Sequence, residues 1–239
     1  RPYELPGAKP DVLSKQNGLI YMRHRAYTPR SLEKHPPGPH LFSPAGFLNA
    51  SWWHRTYWIY GSHFYSGYIG WFFAGREVPA GRLMVYDEDN IYGYGYTPKY
   101  MRGRRGRKYH LFGISRKNQV NQGKPDYGAA RSRYRGGNAK YRVDFQWTRK
   151  LPALVRSLVL AGDRLYLAGP PDNPSKKGFS PSAWKGRKGG RLFSVSAKNG
   201  KVLWQTRTKW MPRFDGMAAT SHGLYVCTSG GSVLRFIGK

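Results

Sequence analysis

The clearest pattern lies in the C-terminal third, where short apolar runs alternate with glycine turns. Val155 to Leu160 reads as a strand, Gly162-Asp163 as a tight turn, and Leu165-Tyr166-Leu167 as the returning strand. After a Pro/Lys/Gly loop, Arg191 to Ser196 reads as a third strand. Asn199-Gly200 is a hairpin turn, since both residue types tolerate positive φ, and Val202 to Gln205 closes a four-stranded unit. The pattern then restarts: Gly216 to Ala219, the turn His222-Gly223, Leu224 to Cys227, the turn Ser229-Gly230-Gly231, and Ser232 to Phe236, one strand short of a second unit.

This is an internal repeat. Earlier copies are degenerate. Asp11 to Lys15, Asn17-Gly18 and Leu19 to Met22 match the first two strands, and Gly81 to Tyr86 match the third. Residues 24–80 then read as a long insertion, rich in proline and aromatic residues, and a loop of that length is ordered by its own packing or is functional. Tyr109 to Ser115 reads as another third strand, and Asp144 to Trp147 as another fourth. Few stretches keep a 3.6-residue period. The expectation is an all-β chain of β-propeller-type four-stranded blades, about three of them legible, the ring being incomplete or completed by another chain. Residues 1–239 form one segment, with a basic region over 101–142 and the best-defined blades over 150–239.

Composition supports this and adds one feature that the fold does not require. Glycine (30) and proline (17) suit short strands and turns, but 41 Lys+Arg stand against 12 Asp+Glu, a formal net charge of +29. Such a charge favours acidic partners. It is also uneven: residues 51–100 carry four basic and four acidic side chains, residues 101–150 fifteen basic and two acidic.

The single cysteine, Cys227, excludes an intrachain disulfide and a cysteine-based zinc site. No run of 18 apolar residues reads as a membrane span. The chain starts at Arg1 rather than Met, from which a processed or truncated product is expected.

The basic tracts are the sharpest chemical signal. Arg102, Arg104, Arg105, Arg107 and Lys108 are interleaved with Gly103 and Gly106. Arg131, Arg133, Arg135, Lys140 and Arg142 surround Gly136-Gly137. Lys176, Lys177, Lys185, Arg187 and Lys188 make a third cluster. Gly-spaced cations cannot be packed core; they suit an extended anion-binding arm, with a solvated loop as the plain alternative. The run Trp52, Trp53, Tyr57, Trp58 and Tyr60 reads first as packing and second as a stacking platform. The seven histidines lack a metal-ligand spacing; His35 and His40 flank a proline run and read as surface loop.

Ser194 to Trp204 (SVSAKNGKVLW) resembles the repeat motif of PQQ-like (quinoprotein-like) β-propellers, an A-x-D-x-x-T-G-K-x-x-W pattern. Ser196 replaces the family's usual Asp and Asn199 its Thr. Leu41 to Leu48, Ser51 to Gly61, Val78 to Leu83, Tyr92 to Gly95 and Phe214 to Ala219 resemble the C-terminal part of longer, exported planctomycete-type PQQ-like proteins. The resemblance implies that Trp147 and Trp204 dock between blades and that the chain is periplasmic, on the cell surface or secreted. It also raises a quinoprotein enzyme. Against that, the cysteine pair such enzymes often use is excluded, and Asp163 and Asp215 fall at turn or strand-start positions, so neither PQQ nor calcium is expected. The expected function is a non-catalytic scaffold that grips an acidic protein or acidic polysaccharide within a larger complex. A nucleic-acid-binding module is the alternative, and a quinoprotein-type oxidoreductase remnant the third reading.

Overall fold

The structure, a computed structural model, describes residues 12–23, 25–35, 38–43, 58–61, 79–96, 109–117, 143–172 and 181–238. The chain is all-β, and its sheets are antiparallel meanders of the β-propeller blade type. The described strands form five sheets, three of four strands and two of three. The chain divides into two compact units, residues 1–80 with 119–143, and residues 81–118 with 144–239.

In the first unit, β1 (Leu13–Gln16), β2 (Leu19–Met22), β3 (Arg25–Tyr27) and β4 (Lys34–His35) follow one another as a four-stranded sheet. Asn17 and Gly18 both take positive φ, 49° and 76°, which sets the two-residue hairpin between β1 and β2. A second sheet has β5 (His40–Phe42), β6 (Trp58–Gly61) and, at the point where the chain leaves the unit, β7 (Ala80–Gly81). Tyr21 stacks on His40 with ring centroids 4.1 Å apart, and Ala26, Phe42, Ile59 and Tyr60 are buried. The first sheet therefore finds its third and fourth strands within residues 25–35, directly after the second. The described residues of 24–80 are largely strand, and Leu83–Tyr86 is not the third strand of this sheet.

In the second unit, β8 (Leu83–Tyr86), β9 (Asn90–Tyr96), β10 (Tyr109–Ser115) and β11 (Phe145–Arg149) form one sheet in chain order. Next come β12 (Ser157–Ala161), β13 (Arg164–Gly169), β14 (Gly190–Ser196) and β15 (Val202–Thr208). A one-turn helix, α1 (Pro181–Trp184), lies between β13 and β14. The last sheet has β16 (Pro212–Thr220), β17 (Gly223–Thr228) and β18 (Val233–Phe236). Five sheets thus stand where the sequence shows about three, because the short strands of the first unit carry weak alternation.

Burial explains the strand assignments. Strand β14 (GRLFSVS) is buried along almost its whole length, as a strand covered on both faces must be. Leu83, Leu111, Leu165, Leu167, Phe193 and Val195 meet in one core spanning the sheets that begin at β8 and β12. Each such side chain contributes about 1.5–3 kcal/mol of burial. A smaller cluster, Ala168, Leu192, Leu224 and Val226, joins the β12 sheet to the β16 sheet. Strand β15, at a sheet edge, is exposed along Leu203-Trp204-Gln205.

Candidate functional site

The second unit is organised around Trp147. Its partner across β10–β11 is Gly113, with a bulge between Gly113 and Ile114. One face of the indole lies on Gly113 and another part on Gly200 of the following sheet; a Cβ at either glycine would run into the ring. The indole Nε1 donates to the Ala197 carbonyl at 2.9 Å, and the Arg149 Nε donates to the Gly200 carbonyl at 3.0 Å. The turn that receives them is built locally. Gly200 has φ 69°, its N–H bonds to Ser196 O (2.9 Å), and the Asn199 side-chain oxygen accepts from Lys201 N (3.0 Å). Positive φ falls on Gly200 and not on Asn199, which serves through its side chain instead. Trp147 therefore fastens the fourth strand of one sheet to the last hairpin of the next.

Trp204 sits at the matching place, opposite Ser194, with a bulge between Ser194 and Val195. Its side chain is nevertheless 49% exposed.

Of the expected cationic residues, Lys185, Arg187 and Lys188 are described, and all three are exposed. They lie on the turns that follow α1. Gly186 (φ 82°) and Gly189 (φ 63°) shape this segment, and Arg187 N donates to Ser182 O at 3.0 Å. Gly186 packs against the Met211 side chain, and Gly189 against the Thr208 carbonyl, so the three cations project from a held turn. Arg102, Arg104, Arg105, Arg107, Lys108, Arg131, Arg133, Arg135, Lys140, Arg142, Lys176 and Lys177 lie outside the described residues, as do Trp52, Trp53 and Tyr57. Trp58 is half-buried and Tyr60 buried on β6. His40 is fully buried with both ring nitrogens 2.8 Å from backbone carbonyls, those of Gly38 and Arg23, so it lies in packing rather than in a surface loop. The Asp163 side chain is 87% exposed in the β12–β13 turn, 3.7 Å from Arg164.

A second grouping was not legible in the sequence. Between Pro212 and Met217 the β16–β17 register breaks, with Pro212 opposite Thr228 and Met217 opposite Val226. Residues 213–216 bulge and are tied to the neighbouring strand. Ser157 Oγ donates to Arg213 O (2.6 Å), Asp215 N to Arg156 O (2.8 Å), and Gly216 N to Ser157 Oγ (3.2 Å). Asp215 holds φ 54°, a left-handed conformation that a non-glycine residue adopts at a cost. Three arginines serve this bulge. Arg213 belongs to it. The Arg156 Nη1 donates to Met211 Sδ at 3.4 Å, and the Arg82 guanidinium carbon lies 5.3 Å from the centroid of the Phe214 ring. Arg82 and Arg156 are 5% and 8% exposed. The signal that could have found them is a cation inside an apolar strand run, as in Val155-Arg156-Ser157 and Gly81-Arg82-Leu83.

No family model matches the chain, and no curated protein matches it. Among the 22 matching chains of solved structures is BamB from Moraxella catarrhalis, at 12% identity and a TM-score of 0.26. That match covers 93% of this chain and 59% of that one. The fold described above rests on the sheets themselves. No helix among the described residues is long and apolar enough to cross a membrane.

Proposed function

We propose that the chain is a non-catalytic interaction scaffold of the PQQ-like propeller type, which holds an acidic protein or acidic polysaccharide within a larger exported assembly. One observation carries the reading: a formal charge of +29 concentrated in glycine-spaced segments, of which Lys185, Arg187 and Lys188 project from a turn fixed on the blade. A rigid platform lowers the ordering cost of binding, and multiple cations supply attraction that an acidic surface answers. The basic region over 101–142 contributes further arms in the same reading. The periplasm, the cell surface or the extracellular space is the proposed location, resting on the resemblance of Ser194 to Trp204 and of Phe214 to Ala219.

The test is isolation of the native assembly from its source after nuclease treatment. A stoichiometric complex with an acidic protein or a uronate-bearing polysaccharide, dissociated by salt, is the expected result. Loss of the partner on nuclease treatment would replace this reading with nucleic-acid binding.

A further inference from the structure

Strand β15 is the outer strand of its sheet, and among the described residues it pairs with β14 alone. Such an edge presents a row of N–H and C=O groups ready to pair with another chain. The β14–β15 register skips Leu203 and then runs unbroken from Trp204 to Thr208, so the edge is regular over that stretch. Leu203 and Trp204, adjacent in the chain, are 46% and 49% exposed. On β11, the matching outer strand, the skipped residue is the polar Gln146, and the Trp147 ring lies on Gly113 and Gly200. An apolar pair on a regular, solvent-facing edge marks a place of association.

Charge names the occupant. From residue 173 to residue 214 the sequence has eleven Lys+Arg and neither Asp nor Glu. Lys201, Arg207 and Lys209 are exposed on and beside β15. At the far end of the strand, the turn carrying Lys185, Arg187 and Lys188 packs through Gly189 on the Thr208 carbonyl. A second copy of this chain would bring its own net charge of +29 against these cations, and a polysaccharide has no main chain with which to extend a sheet. We propose that the outer edge of β15 is the docking site for an extended acidic segment of a partner protein, which adds a fifth strand to the four-stranded sheet. An apolar side chain of that segment covers Trp204, and a carboxylate meets Arg207 as a cross-strand pair. The inference rests on the scaffold reading above and narrows it: the partner is a protein, held by main-chain pairing in addition to charge.

The experiment is titration of the full chain at low salt with three probes: a capped alternating Glu-Val heptapeptide, the same peptide N-methylated throughout, and poly-L-glutamate. The heptapeptide should bind. N-methylation keeps its charge and removes its N–H groups, and should weaken it at least about tenfold. Trp204→Ala should weaken the heptapeptide about tenfold and Arg207→Gln about threefold. Val233→Ala, on the exposed β18 edge, should leave it unchanged, and poly-L-glutamate should bind Trp204→Ala as it binds the unaltered chain. The comparison of the two peptides needs no variant, so it decides even where one fails to fold. Equal affinity of the N-methylated peptide, an unchanged affinity in Trp204→Ala, a Val233→Ala loss equal to that of Trp204→Ala, or a dimer of the chain that Trp204→Ala dissolves would overturn the proposal. Failure of the heptapeptide beside salt-dependent binding of poly-L-glutamate would overturn it and leave the scaffold reading standing; failure of both would remove both.

Discussion

Trp147 shows how single residues set the joints of this protein. The ring fits because position 113 and position 200 both lack a Cβ. At Gly200 the demand is double, since φ is 69° and the indole occupies the place of a side chain. Gly200→Ala should therefore cost about 1–2 kcal/mol in backbone strain and about 1–3 kcal/mol in overpacking. Urea unfolding monitored by tryptophan fluorescence would read it. His110 makes a prediction in pH. It is 4% exposed between Phe112 and Phe145, and burial pulls its pKa from 6.5 to about 4. The folded ring stays neutral while the unfolded ring protonates below pH 6.5, so stability is full above that pH and falls as pH drops towards 4. The loss reaches up to about 3 kcal/mol. His110→Phe should flatten the difference between unfolding at pH 7 and at pH 4.5. The roles of Gly113 and His110 are not readable from sequence. Gly113 looks like any strand glycine, and His110 like any of seven histidines; what each touches depends on the sheet that folds over it.

At the scale of the element, the joint between β10 and β11 is repeated between β14 and β15. Gly113 faces Trp147 and Ser194 faces Trp204, and each pair is followed by a bulge at the same step. The repeated register makes the two tryptophans comparable, and their burial separates them. Trp147→Ala should cost about 3 kcal/mol, the low end for a large aromatic because the ring is partly buried. Trp204→Ala should stay within about 0.5 kcal/mol in the isolated chain. Chemical denaturation of the two variants side by side checks both numbers. The same scale explains which strands were legible. The strands of the β12 and β16 sheets are marked by glycine or Asn-Gly turns and by strong apolar runs, and the expected segments fall within or beside the observed strands. Strands β3 and β4 have three and two residues, too short for alternation to register, and β4 holds only Lys34 and His35. That is why the sequence pattern leaves the first sheet unfinished and matches to it Leu83–Tyr86, which opens the third sheet in chain order.

For the whole molecule, charge is the property that the fold leaves unexplained. Antiparallel meanders need glycine turns and apolar strands; they do not need 41 Lys+Arg. Two groups of described cations differ in setting. Lys185, Arg187 and Lys188 stand in solvent on a held turn, and glycine spacing in the sequence pointed to them. Arg82 and Arg156 are buried beside a strained bulge, where only the pairing of distant strands brings them together.

The direct test of the scaffold reading is the affinity of the full chain for a soluble carboxylated polymer, poly-L-glutamate or alginate, measured across sodium chloride concentration. Binding carried by many solvent-exposed cations should weaken by at least about tenfold between 50 and 300 mM salt, and by a further measurable step when Lys185, Arg187 and Lys188 are all changed to Gln. An affinity that does not respond to salt, or no binding to either polymer at low salt, would contradict it.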